Sequence, residues 1–282
     1  AGMIVIAANA GGAWSPIGDV TTTMLWIGKK VTSAKLIEYL IIPSILCVVV
    51  PVFIASFLKP FSGDIEIEDN LEVSKSKYGP TMLYLGLTAI IFVPIFKTLT
   101  HLPPFLGVLF GLSVLWAVTE FLHLKKADNI RKELSISRTL ERVDTPSVLF
   151  FLGILLAVGA LQSAGHLIQL AHLLDSTFGN IWIINMLIGF LSSIVDNGSL
   201  VAATQGMFPI SEFPIDSSLW EFIALCAGTG GSMLIIGSAS GIAVMEKEKM
   251  TFMWYLKTIT PLAIAGYIAG IVTYLGIELL IH

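Results

Sequence analysis

Charge is scarce in this chain. Asp, Glu, Lys and Arg make up 13% of its 282 residues, about half of the roughly 25% usual in a soluble domain. Between Val143 and Met245 there is no Lys or Arg at all. Cysteine is as rare. Cys47 and Cys226 both stand in apolar segments, which argues against a disulfide framework. The net charge is −4 and there is no basic tail, so nucleic acid is not expected as a partner. Strict polar–apolar alternation is also missing, which argues against a β-barrel. No signal peptide is legible, and the chain opens at Ala1 inside an apolar run.

What the chain does have is apolar length. It is 55% hydrophobic, with a mean hydropathy of +0.85. Runs of about 20 apolar residues recur throughout, the length that spans a bilayer as helix. The reading is an all-α polytopic membrane protein. Its partner is membrane lipid, and enzyme chemistry is not expected.

Two stretches break the apolar pattern in the same way. Ala7-Ala-Asn-Ala-Gly-Gly-Ala-Trp-Ser-Pro-Ile-Gly-Asp-Val-Thr21 aligns with Cys226-Ala-Gly-Thr-Gly-Gly-Ser-Met-Leu-Ile-Ile-Gly-Ser-Ala-Ser240 at a constant offset of 219 residues. Gly11 and Gly12 fall on Gly230 and Gly231, and Gly18 falls on Gly237. Gly-broken membrane segments in matching positions of two halves point to a transporter's binding site. The glycines let the chain unwind and let helices approach closely.

The organisation follows. Residues 1–28 are a broken helix ending a first, incomplete repeat. Residues 29–124 hold connecting transmembrane helices, at 35–58, 78–96 and 103–124. Lys29, Lys30 and Lys35 mark a membrane exit, Pro43 and Pro51 predict kinks, and 59–77 is an acidic polar loop. Residues 125–145 are a charged cytoplasmic or interfacial linker. Residues 146–282 form the second inverted repeat. It contains a short span from Pro146, an interfacial helix over 163–178 and a re-entrant hairpin over 181–208, with Asp196-Asn-Gly-Ser199 at its tip. A broken helix over 219–245 and a last helix over 252–281 complete it. Placing 125–145 in the cytoplasm puts 12 Lys and Arg inside and 4 outside, as the positive-inside rule expects. That layout inverts the second motif relative to the first. It describes an inverted-repeat secondary transporter with a re-entrant hairpin and two broken transmembrane helices. The second copy begins near Pro146, so the first would begin roughly 70 residues before Ala1. The expectation is a chain that continues upstream, where the first copy's hairpin would lie.

Asp19 and Asp196 carry the chemistry in this reading. Each is a carboxylate at membrane depth beside a chain break, and such a group is functional by default. It can hold a proton, hold a cation, or alternate between them. Desolvation favours the proton and a bound cation opposes it. Oxygen donors surround both: Asn9, Ser15, Thr21 and Thr22 in one copy, Asn197, Ser199, Thr229, Ser232, Ser238 and Ser240 in the other. Hard cations take such ligands, and the same hydroxyls also suit helix caps. Glu120 reads as interfacial, His166 and His172 as exposed, Trp14 as packing. Trp116, Trp254 and Tyr255 fit an interfacial belt. A carboxylate or anion carrier would use helix N-termini, hydroxyls and amides. Two carboxylates without Lys or Arg argue against it. An intramembrane aspartyl protease needs paired acids, but Pro16-Ile-Gly-Asp19 lacks a leading Gly and the repeat would go unexplained.

The stretch from Asn9 to Ile27 resembles the signature of the NhaD-type sodium/proton antiporters of the ion transporter superfamily. Leu149–Leu161, Ser193-Ile-Val-Asp-Asn197 and Cys226–Ser232 continue the resemblance in order. It covers nearly the whole chain and implies Na⁺ or Li⁺ export against inward protons, without ATP or cofactor. It also implies a homodimer with an elevator-like transport domain, in a bacterial inner membrane or a plastid envelope. Carried over by position, Asn9, Asp19, Thr21, Asp196, Asn197 and Ser232 bind the ion or proton, with Asp19 and Asp196 holding Na⁺. The family usually has Val-Pro after the Asp-Asn of the hairpin tip, where this chain has Gly198-Ser199. The first hairpin carries site residues too, so this chain alone is expected not to transport.

Overall fold

The computed structural model describes residues 1–58, 61, 78–100, 102–123, 145–195 and 197–281. Every regular element among them is an α-helix. The acidic loop and the 125–145 linker fall almost wholly outside the described residues, and Asp196 lies outside them. The chain forms two compact units. One joins Ala1–Gly63 with Gly153–His282, and the other is Asp64–Leu152.

In the smaller unit α4 (Gly79–Thr100) and α5 (Pro104–His123) pack as a helical hairpin. Phe92 meets Phe110 at 6.0 Å between ring centroids. A Cβ on Gly107 would stand 3.0 Å from the Phe96 ring, and one on Gly111 would stand 3.0 Å from Ala89 Cβ. Small residues at the crossing let the backbones close up.

The larger unit carries the site. It begins with α1 (Gly2–Ala13), α2 (Val20–Ile27) and α3 (Ser33–Ala55). The helix α6 (Thr145–Ser163) ends in it, followed by α7 (His166–Phe178) and the pair α8 (Ile181–Leu191) and α9 (Asn197–Met207). Then come α10 (Ser218–Gly230), α11 (Ala239–Glu248), α12 (Phe252–Thr258) and α13 (Thr260–Ile281). Among the described residues, four helices are long and apolar enough to cross a membrane: α3, α4, most of α5, and α13. The arms α8 and α9 have 11 residues each, roughly 16 Å of helix and half of a bilayer core.

The packing of α3 on α13 shows why two prolines sit inside a helix. Pro43 and Pro51 lie within an unbroken α3. Facing them is Gly266-Tyr-Ile-Ala-Gly270, a small-xxx-small motif. A Cβ on Gly266 would overlap the Cys47 carbonyl oxygen, and one on Gly270 would collide with Cys47 Sγ. Only glycine allows that approach.

Three local expectations change. The last helix is two: α12 stops before Ile259 and α13 starts at Thr260, where Pro261 has no N–H to continue the ladder. Tyr255 is fully buried and donates to the Ser232 carbonyl at 2.7 Å, so it is not part of an interfacial belt. Lys30 is 6% exposed, against the exposure expected of a lysine at a membrane exit. Its ammonium lies 4.1 Å over the Trp220 ring and donates to the Phe208 carbonyl at 3.3 Å. The apolar stem and a cation–π contact make that burial affordable.

Candidate functional site: two crossed helix breaks

The first break spans 14–19, between α1 and α2. Asp19 is extended (φ −147°, ψ 160°) and caps α2. Its Oδ1 accepts from the Val20 amide at 2.7 Å, and its Oδ2 accepts from Thr21 Oγ1 at 2.9 Å. The Thr22 hydroxyl points to the Asp19 carbonyl at 3.1 Å. Thr21 and Thr22 are fully buried. Asp19 is half-buried and lines a cleft of about 400 Å³ with Ile17, Gly18, Val20, Thr23 and Met24. The carboxylate is thus both a cap and a wall of an open cleft.

The second break spans 231–238, between α10 and α11, and repeats this turn. Ser238 stands where Asp19 stands, extended (φ −144°, ψ 152°), and its Oγ accepts from the Gly241 amide at 3.2 Å. Ser240 replaces Thr21, its hydroxyl 3.0 Å from Ser238 Oγ. Backbone closure is also shared. A Cβ on Gly18 would fall 2.6 Å from the Gly12 carbonyl oxygen, and one on Gly237 would fall 2.8 Å from that of Gly231.

The two broken helices cross reciprocally. From α1, Asn9 Nδ2 donates to Ser238 Oγ at 3.0 Å, and Ser240 Oγ donates to Asn9 Oδ1 at 3.1 Å. With the serine–serine contact this closes a ring: amide to Ser238, Ser238 to Ser240, Ser240 back to the amide. Asn9 corresponds to Gly228 in the other copy. Gly228 packs against the first break, where a Cβ would stand 3.5 Å from Thr21 Oγ1.

The hairpin tip docks on the second break. Ser192 Oγ donates to the Ala227 carbonyl at 2.7 Å. With its nitrogen facing the acceptors, the Asn197 amide donates to the Gly237 carbonyl at 2.9 Å and to that of Ser192 at 3.2 Å. A Cβ on Gly231 would fall 2.6 Å from the Asn197 amide, and one on Gly230 would overlap the Gly189 carbonyl. Ser232 is buried, and its hydroxyl donates to the Thr229 carbonyl at 2.6 Å.

Asn9, Asn197 and Ser232 therefore gather at the second break, while Asp19 and Thr21 build the first. Gly12, Gly230 and Gly231 make the close approaches. Gly11 does not: it is helical, exposed, and would meet nothing within 4 Å. His166 and His172 are exposed on α7. Two buried polar residues escaped the sequence reading. Ser192 looks like any helix-end serine. Glu221 is buried in α10 but opens an apolar run, where an acid reads as a helix end.

Residues 1–221 match the CitMHS family, described as citrate transporter. The Na⁺/H⁺ antiporter NhaD of Vibrio parahaemolyticus is 33% identical over 94% of this chain and 67% of its own length. This chain belongs to that family, as an NhaD-type member. Sodium/proton antiporter 1 of Arabidopsis thaliana is 47% identical over 98% of this chain and 48% of its own length. NhaD of Vibrio cholerae is 34% identical over 96% of this chain and 60% of its own. The chain thus spans about half to two thirds of its NhaD-type relatives. The family is one of integral membrane proteins, in keeping with the apolar helices of this chain.

Proposed function

We propose that the protein containing this chain exchanges Na⁺ or Li⁺ for H⁺, the two competing for carboxylates at the crossed breaks. One observation carries this reading: Asp19 lines an open cleft at a break whose twin it meets through buried polar contacts. A cation reaching the cleft finds a carboxylate with a hydroxyl and an amide already oriented on it. Binding the cation favours the ionised carboxylate and so expels a proton; cation release in a desolvated state takes the proton back. Asp196 precedes Asn197 in sequence and is assigned the matching role. Thr21, Asn9, Asn197 and Ser232 supply oxygen or hold the breaks in register.

The family's description suggests an anion as the other substrate. The first break disfavours it. The Val20 amide, which an anion would use at a helix N-terminus, is taken by Asp19's own carboxylate. The proposal includes a homodimer, which crosslinking in membranes would test. It also allows two locations: a bacterial inner membrane, or a plastid envelope given plant relatives at 47% and 45% identity. Fractionation of the native cell decides between them.

The test uses the whole protein in everted vesicles with a preset pH gradient. Adding Na⁺ or Li⁺ collapses the gradient with wild type and not with Asp19→Asn. Silence of folded wild type with both ions, together with uptake of citrate, would replace the antiport reading by anion transport.

A further inference from the structure

The second broken helix carries a carboxylate that the exchange described above does not use. Glu221 lies in the first turn of α10 and is 2% exposed. The residue after it packs among aromatic rings: Phe222 is 5.0 Å from Trp182 and 5.2 Å from Tyr274 between ring centroids. No cation among the described residues is within ion-pair distance of Glu221. The charged groups that face it are Glu278 of α13, Asp216 of the preceding turn and Lys35 of α3. The neighbouring helices α1, α2, α8 and α9 present no Asp, Glu, Lys, Arg or His.

Its hydrogen bonds read as a proton switch. Tyr274 OH lies 3.2 Å from Glu221 Oε2 and 3.0 Å from the Ser218 carbonyl. The phenol has one proton to give, and the carbonyl can only accept. When Tyr274 donates to Ser218, Glu221 must be the acid and donate to the phenol oxygen. When Glu221 is ionised, the phenol turns to it and leaves Ser218. The ionised form is then a buried charge with a single donor and no counter-ion, the arrangement proteins avoid.

A second observation links this group to the breaks. The helices α8 and α10 run side by side in the same direction. Trp182 meets Phe222, Gly189 meets Cys226 and Gly230, and Ser192 reaches Ala227. Asn185 lies between those levels on α8, fully buried, and neither atom of its amide has a hydrogen-bond partner among the described residues. Along these two helices polar groups thus lie at three levels: Glu221, which Tyr274 reaches from α13, then Asn185, then Ser192 and Asn197. Glu221 precedes Gly230 by nine residues, roughly 14 Å along the helix.

We propose that Glu221 is a second proton-binding site of the transporter, with Asn185 as the polar step between it and the crossed breaks. In the step itself Glu221 Oε2 gives its proton to a water molecule, which carries it away as hydronium, and Tyr274 OH, keeping its own proton, swings from the Ser218 carbonyl to the carboxylate. The proposal rests on the antiport reading for its role in transport, but not for the protonation.

The experiment has two arms on the whole protein in lipid. Infrared difference spectra between acid and alkaline pH read the protonated carboxyl directly and need no transport. The expected result is a carboxyl band that titrates in wild type and is lost in Glu221→Gln. In the second arm, Na⁺-driven exchange is followed against pH. Glu221→Gln shifts the midpoint by about one pH unit or more, a tenfold change in proton affinity, and Asn185→Leu slows exchange at least tenfold while Na⁺ still binds. A spectrum of Glu221→Gln matching wild type, or a superimposable pH profile, overturns the proposal. Should Glu221→Gln fail to assemble, Tyr274→Phe serves. It removes the one hydrogen bond to Glu221, and an unchanged carboxyl titration then overturns the assignment equally.

Discussion

Asp19 separates capping from charge in a way one substitution can expose. Asparagine caps a helix about as well as aspartate. Asp19→Asn should therefore leave thermal stability within about 0.5 kcal/mol of wild type, yet abolish cation-dependent proton movement. A large loss of stability would show that the charge is structural. Asn9 is the opposite case. Its amide closes the ring with Ser238 and Ser240, so Asn9→Ala strands buried hydroxyls and should cost about 1–3 kcal/mol by thermal melting. The motif made Asn9 and Asp19 legible in the sequence, because an amide and an acid in a Gly-broken apolar stretch have few other uses. The ring was not legible. It joins residues 229 apart in sequence, and serines near a break suit capping equally well.

At the scale of the element, the breaks depend on which glycine touches backbone. A Cβ on Gly230 would overlap the carbonyl of Gly189, which cannot rotate away. Gly230→Ala should force α8 from α10 and cost several kcal/mol, on the order of 2–4. Gly11→Ala meets nothing and removes a helical glycine, so it should be neutral or stabilising by up to about 1 kcal/mol. Chemical denaturation of the pair checks both; equal effects would contradict the geometry. The repeat offset made the paired breaks readable, since glycine spacing survives in sequence. It could not rank the glycines, because only the fold shows what each one faces. The burial of Lys30 was not legible for a related reason: a lysine after an apolar run reads as exposed until its neighbours are known. Burial pushes the Lys30 ammonium below the ordinary lysine value. Between those two values the unfolded chain binds more protons, so stability should rise with pH through that alkaline window. In Lys30→Met the rise in melting temperature across the window should be smaller.

For the whole molecule, the proposed exchange rests on two like turns meeting at one crossing. The first presents a carboxylate to a cleft, and the second presents a serine at the same position, held by an amide from the first copy. In the proposed exchange, that asymmetry would let one group bind while the other fixes its geometry. Composition and apolar length made the membrane class readable, and motif order made the family readable, because both are properties of the chain itself. The aromatic seam around Glu221 was not, since packing between α8, α10 and α13 has no local signature. The central claim is that proton and cation share one carboxylate site. Its most direct measurement is proton release on adding Na⁺ to the purified whole protein in weakly buffered solution. Wild type should release protons as Na⁺ binds, and the double variant Asp19→Asn, Asp196→Asn should release none. Na⁺ binding to wild type without proton release, or release undiminished in the double variant, would contradict it.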